Sequence, residues 1–92
     1  MSSKLKIIGL ELDAKVIKKI RNKMYNLREL SPYDSAIYCN ISQSGLLIAG
    51  ELSVVSSQAR FVANFSEYEA PLLIEKIFND IFKKLTKWKL AR

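Results

Sequence analysis

The only side chains of this 92-residue chain whose number and spacing suit a chemistry are its cations. Fifteen Lys and Arg stand against nine Asp and Glu, a formal net charge of +6 at pH 7. They are placed with order. Over residues 70–89, at about 100° per residue, Ala70, Ile74, Ile77, Phe78, Ile81, Leu85 and Trp88 fall within one apolar arc, and Lys76, Lys83 and Lys87 fall opposite, at i, i+7 and i+11. A helix needs the first arc to bury itself, but not an aligned row of cations on the second. A similar helix precedes it. There Ile17, Ile20, Met24 and Leu27 repeat at helical spacing with Val16 beside them, while Lys15, Lys18, Lys19, Asn22 and Tyr25 take the other side and Arg21 and Arg28 its flank. Lysines spaced this way can follow phosphates along a groove, neutralising charge and releasing counterions while reading little of the base sequence.

The basic balance favours a polyanionic partner, nucleic acid first and an anionic membrane surface second. A membrane-surface binder would set aromatics between its lysines, whereas here the aromatics fall in the apolar stripe. The strongest candidates for phosphate contact are Lys83, Lys84, Lys87 and Lys89. Helix-dipole complementation, at about 0.3–1 kcal/mol each, accounts for one or two cations near a helix C-terminus but not for four within seven residues. Lys15, Lys18, Lys19, Arg21, Lys23, Lys76 and Arg92 complete the candidate set. For those of the first helix a solvated face is an equally good account, and Lys76 has Asp80 at i+4 as an ion-pair partner. Trp88 suits sealing the core edge better than stacking on a base.

Other chemistries find little material. With no histidine, Ser-His and Cys-His nucleophile pairs and imidazole metal sites are impossible within the chain. Cys39, the one cysteine, lies in an apolar strand-like run and reads as a buried structural thiol. The acids are scattered, with no paired carboxylates, glycine-rich phosphate loop or metal-ligand cluster. No enzyme and no cofactor is expected. The start, Met1-Ser2-Ser3-Lys4, lacks the apolar core of a signal peptide, and no apolar run nears ~18 residues. The sequence reads as cytoplasmic, with no membrane association.

The elements that must position these cations follow from periodicity. Residues 5–10 alternate as a short strand, and Asp13 can cap the first helix. Ser31-Pro32 stops that helix, because proline disfavours helical backbone in the residue before it. Residues 36–42 form a second strand, 43–45 a turn, 46–55 a third strand with Gly50 as a bulge or point of close approach, and 59–65 a fourth, with Phe61 and Phe65 on its core face. Ser66 is a candidate cap for the last helix, and Pro71 fits only its first turn. The order β-α-β-β-β-α predicts an α+β fold over one domain, residues 1–92. It has a four-stranded sheet, a parallel first pair, an antiparallel meander, and both helices on one face. Both basic faces then point outward on the same side and merge into one broad basic surface.

These residues also carry a family resemblance. The run I-F-N-D-I-F-K-K-L-T-K-W-K-L (77–90) is similar to the K-L-x-x-Q-L-x-K-x-K helix of the hibernation-promoting factor and ribosome-associated inhibitor family, also called protein Y or ribosomal S30AE. Leu85, Thr86, Lys87 and Lys89 match, and Lys83 and Lys84 stand where the family often carries arginine or lysine and then glutamine. Lys23-Met24-Tyr25-Asn26-Leu27 resembles the family's K-x-x-K-L segment, with Asn26 in place of the second lysine. K-I-I-G (6–9) resembles its first strand. At the entry to the last helix Glu69 and Glu75 stand in for the family's two aspartates, and Pro71 takes its tyrosine position. The resemblance implies a ribosome-associated, translation-inhibiting factor of the stress response, bound to the structured ribosomal RNA of the small subunit in the decoding and tRNA channel. A different class of function remains open: a small interaction module or chaperone that forms a homodimer through the far face of its sheet, where Tyr38, Val55 and Val62 lie. The architecture itself is testable, with Ile17, Ile20, Met24, Ile74, Ile77 and Ile81 expected between helices and sheet.

Overall fold

The structure is a computed structural model that describes residues 2–91. Six elements follow in the order β1 (Ser2–Ile8), α1 (Ala14–Leu27), β2 (Ala36–Ser44), β3 (Leu47–Val55), β4 (Arg60–Glu67) and α2 (Ala70–Leu90). The sheet order is β1-β2-β3-β4. β1 pairs parallel to β2, Leu5 opposite Cys39, as a crossover through a helix demands. β2, β3 and β4 form the antiparallel meander, with Cys39, Leu52 and Ala63 in one row. The predicted α+β architecture is the one observed.

Alternation along the strands defines one buried face. Ile37, Cys39 and Ile41 of β2, Leu52 and Val54 of β3 and Ala63 of β4 share a core with Ile20, Met24 and Leu27 of α1 and with Leu73, Ile74, Ile77, Phe78, Ile81 and Leu85 of α2. Both helices therefore lie on the same side of the sheet. Of the six expected core residues, five are buried and Ile17 is half-buried. The helices also run in one direction, since each follows one of two strands that point the same way, β1 and β4. Gly50 is the point of close approach between layers. A Cβ there would meet the Leu73 side chain at 3.1 Å, and the β3 ladder continues through it without a bulge. Trp88 is half-buried and meets Phe61 edge to face, with ring centroids 6.0 Å apart. Cys39 is fully buried, and burial pushes its thiol up to about 12.

Several boundaries depart from expectation. β1 begins earlier and stops at Ile8, because Gly9 turns the chain at φ +79°. Gln43 and Ser44 belong to β2, and only Gly45 and Leu46 form the loop, with positive φ at the first loop residue alone, as a II′ hairpin requires. Ser66 pairs with Ala49 inside the sheet instead of capping α2. The capping position is Glu69, which makes no side-chain cap, while Pro71 sits in the first turn. Phe65 stands where the helical cover ends and is 37% exposed. Asp13 does cap α1, its Oδ1 accepting from the Lys15 amide at 3.3 Å. At the opposite end of the sheet, hydrogen bonding from Ser57 holds the Asp34 carboxyl below its ordinary value.

Gly9 and Gly45 separate two costs. Both have positive φ, where a side chain is strained by roughly 1–2 kcal/mol. At Gly45 nothing lies within 4 Å of an added Cβ, whereas at Gly9 it would meet the Gln43 carbonyl oxygen at 2.7 Å. Gly9→Ala is expected to destabilise clearly more than Gly45→Ala in urea unfolding. Native Cys39 is expected to resist alkylation at pH 8 and to react once the chain is unfolded.

Candidate nucleic-acid interface

The helical layer carries ten of the eleven candidate cations. Arg92 lies outside the described residues. Lys15, Lys18, Lys19 and Arg21 are exposed on α1, and Lys83 and Lys87 on α2. The charged side-chain groups of these six make no hydrogen bond, ion pair or ring contact within the described residues, Lys15 bonding only through its backbone amide. They are solvated charges, which cost nothing to desolvate until a partner arrives.

The other four are engaged. Lys76 pairs with Glu67 of β4, not with Asp80 one turn ahead. Asp80 instead pairs with Lys84, 2.8 Å away, and Lys84 also donates to the Val62 carbonyl at 2.7 Å. Lys89 donates to the Glu29 carbonyl at 3.1 Å, tying the end of α2 to the loop after α1. The Lys23 ammonium lies 5.9 Å from the centroid of the Phe78 ring, a cation–π distance.

These contacts fix how α2 is rotated. Lys76 and Lys84 both reach β4, so the flank they share with Lys83 and Lys87 overhangs the β4 edge. Phe78 lies beside Lys23 and Leu27 of α1, on the flank of α2 away from these lysines. The two basic stripes therefore share one side of the molecule without merging. Between them the helices enclose a groove of about 320 Å³, rimmed by Lys19 and Lys23 on α1 and by Glu75 and Asn79 on α2. Farther along α2 the ground between the stripes belongs to Phe82, which is 53% exposed. The sequence reading missed Phe82, although a helical wheel puts it beyond the apolar arc. It also left out the cations of the opposite sheet face. Lys4, Lys6 and Arg60 are exposed there, while Tyr38, Val55 and Val62 are half-buried.

The geometry defines a two-layer α+β domain with an open, cationic helical layer. No family model matches the chain, and no curated protein matches it in sequence. Its fold is nevertheless that of two solved structures. A ribosomal subunit interface protein from Coxiella burnetii superposes with a TM-score of 0.77 at 12% identity, over 98% of this chain and 99% of that one. The N-terminal domain of Thermus thermophilus Protein Y gives a TM-score of 0.73 at 14% identity, over 90% and 94%. Among the described residues no group of three or more Cys, Asp or Glu side chains is placed to hold a metal ion, and no helix is long and apolar enough to cross a membrane.

The division between engaged and solvated lysines can be measured. Lys84→Ala removes an ion pair and a cap on an edge carbonyl, with an expected cost of about 0.5–1 kcal/mol in urea unfolding. Lys83→Ala and Lys87→Ala are expected to stay within roughly 0.5 kcal/mol of the parent chain.

Proposed function

We propose that this protein is a ribosome-associated factor that binds the structured RNA of the small subunit and thereby inhibits translation. The observation that carries the reading is the set of six cationic side chains without a partner among the described residues, on the helical layer of a fold shared with a ribosomal subunit interface protein and with Protein Y. Nothing in the packing of the helices requires Lys15, Lys18, Lys19, Arg21, Lys83 or Lys87. A polyanion supplies the counter-charge they lack, and helical spacing lets successive lysines meet successive phosphates. Lys23, Lys76, Lys84 and Lys89 serve in part to hold the layer together, and they add to its field at short range.

Phosphate contacts of this kind favour folded RNA over short single strands and give affinity that falls steeply with salt. Co-sedimentation with purified small subunits across a salt series tests the reading. Replacing Lys83 and Lys87 together by alanine is expected to weaken binding and to flatten the slope of log affinity against log salt by roughly two, with the fold unchanged. Unchanged affinity and slope in the folded double variant would remove α2 from the interface. The bound protein is also expected to compete with tRNA or messenger RNA for the decoding channel, and free co-occupancy with both would rule out translation inhibition by this route.

A further inference from the structure

Phe82 is out of place for a residue of the core helix. Its neighbours on the apolar arc, Phe78, Ile81 and Leu85, are buried, yet Phe82 is 53% exposed in the middle of the cationic layer. It forms the wall between two hollows. One, of about 220 Å³, is lined by Lys23, Asn26, Leu27, Phe78 and Asn79 together with Phe82. The other, of about 300 Å³, lies between Phe82, Lys83, Thr86, Lys87 and Leu90. Neither hollow has an acidic residue in its lining. The first combines aromatic side chains with a lysine and two side-chain amides, whereas the second presents an apolar surface only, lined by the Phe82 ring, Leu90 and the aliphatic parts of Lys83, Thr86 and Lys87.

We infer that Phe82 is a stacking platform for a single unpaired nucleobase of the bound RNA. The inference rests on the RNA-binding reading above and adds a second mode of contact to it. A base that leaves its helix exposes a flat apolar face and a polar edge, with a phosphate on either side. The ring of Phe82 offers the face a partner. Asn26 and Asn79 offer donors and acceptors to the edge and Lys23 a cation to one phosphate, while the other hollow takes only apolar surface and leaves the ammonium groups of Lys83 and Lys87 outside it for the neighbouring phosphate. The charge argues against an apolar protein segment as the occupant, because such a segment would leave the flanking ammonium groups poorly solvated and unpaired.

The test uses the full chain and two RNA hairpins with the same stem. One carries a single bulged 2-aminopurine, and the other carries 2-aminopurine paired within the stem. The wild-type chain is expected to bind the bulged hairpin about tenfold more tightly and to change the fluorescence of the bulged base. Phe82→Ala is expected to abolish both the preference and the fluorescence change while keeping the salt dependence that the lysines set. Phe82→Tyr, which retains the ring, is expected to preserve both. Equal affinity for the two hairpins, or a bulged base that does not respond, overturns the inference. So does a Phe82→Ala variant that binds small subunits poorly but the bulged hairpin normally, since the ring would then contact protein. If the wild-type chain binds neither hairpin nor small subunits, the RNA-binding reading itself falls.

Discussion

The rest of the structure depends on the one-sided burial of the sheet. A parallel β1–β2 pair joined through α1, followed by a meander that leads into α2, delivers both helices to the same end of the sheet and in the same direction. Each helix has a single apolar stripe, and each buries it against Ile37, Cys39, Ile41, Leu52, Val54 or Ala63. Burial of this kind stabilises by about 25 cal/mol per Å² of apolar surface, and it is strict about distance. Gly50 lets Leu73 settle onto β3, and a Cβ there would press on the Leu73 side chain at 3.1 Å. Because the interior uses only one side of each helix, it places no demand on the charges of the other side.

That freedom explains the uneven state of the lysines. An ammonium group near a carboxylate or an exposed carbonyl pairs where geometry permits, and Lys76, Lys84 and Lys89 do so on the flanks of α2. Such exposed pairs contribute little stability, typically about 0–1 kcal/mol. Lys84 does something further by covering the Val62 carbonyl on the unpaired edge of β4, where a charged side chain discourages edge-to-edge association. Among the described residues Lys83 and Lys87 form no ion pair or hydrogen bond through their side chains and stay solvated. The same helix thus holds cations that serve the fold beside cations that do not, and spacing alone does not distinguish them.

Much of the fold was legible in the sequence because hydrophobic periodicity controls it. The alternation in 36–42 and the stripe through Ile74, Ile77 and Ile81 each permit one solution, and Asp13 and Pro71 mark helix starts through local backbone geometry, whereas α1 already ends at Leu27, ahead of the stop expected at Ser31-Pro32. What was not legible depends on contacts distant in sequence. Lys76 chooses Glu67 over Asp80 because β4 passes beneath α2, which the i+4 rule does not see. Ser66 looked like a cap because it precedes a helix, but β4 runs on through it to Glu67. Gln43 and Ser44 looked like turn residues, but two-residue hairpin closure at Gly45 and Leu46 extends the ladder to them. Within the candidate site the cations were legible and the gap between the stripes was not, since the rotation of α2 shows only in long-range contacts such as Phe78 beside α1 and Lys76 and Lys84 on β4.

The likeness to two solved structures at 12% and 14% identity sharpens the division between what this fold fixes and what it leaves open. Few identical residues are needed to keep β-α-β-β-β-α, because any sequence with the two stripes, the alternating strands and room for close helix–sheet contact can fill the core. The outward residues are under no such constraint, so two chains can share the architecture and present different surfaces. Lysines that track phosphates tolerate exchange with arginine or a shift of one helical turn, since a phosphate backbone offers many equivalent contacts. An aromatic ring between two hollows is less exchangeable. If it stacks on a base as proposed, its position has to coincide with that base, and moving it by a turn, about 5.4 Å, would remove it from both hollows. On the proposed reading, charge sets how strongly this helical layer would hold a polyanion, and the position of Phe82 sets where along that polyanion the protein would stop.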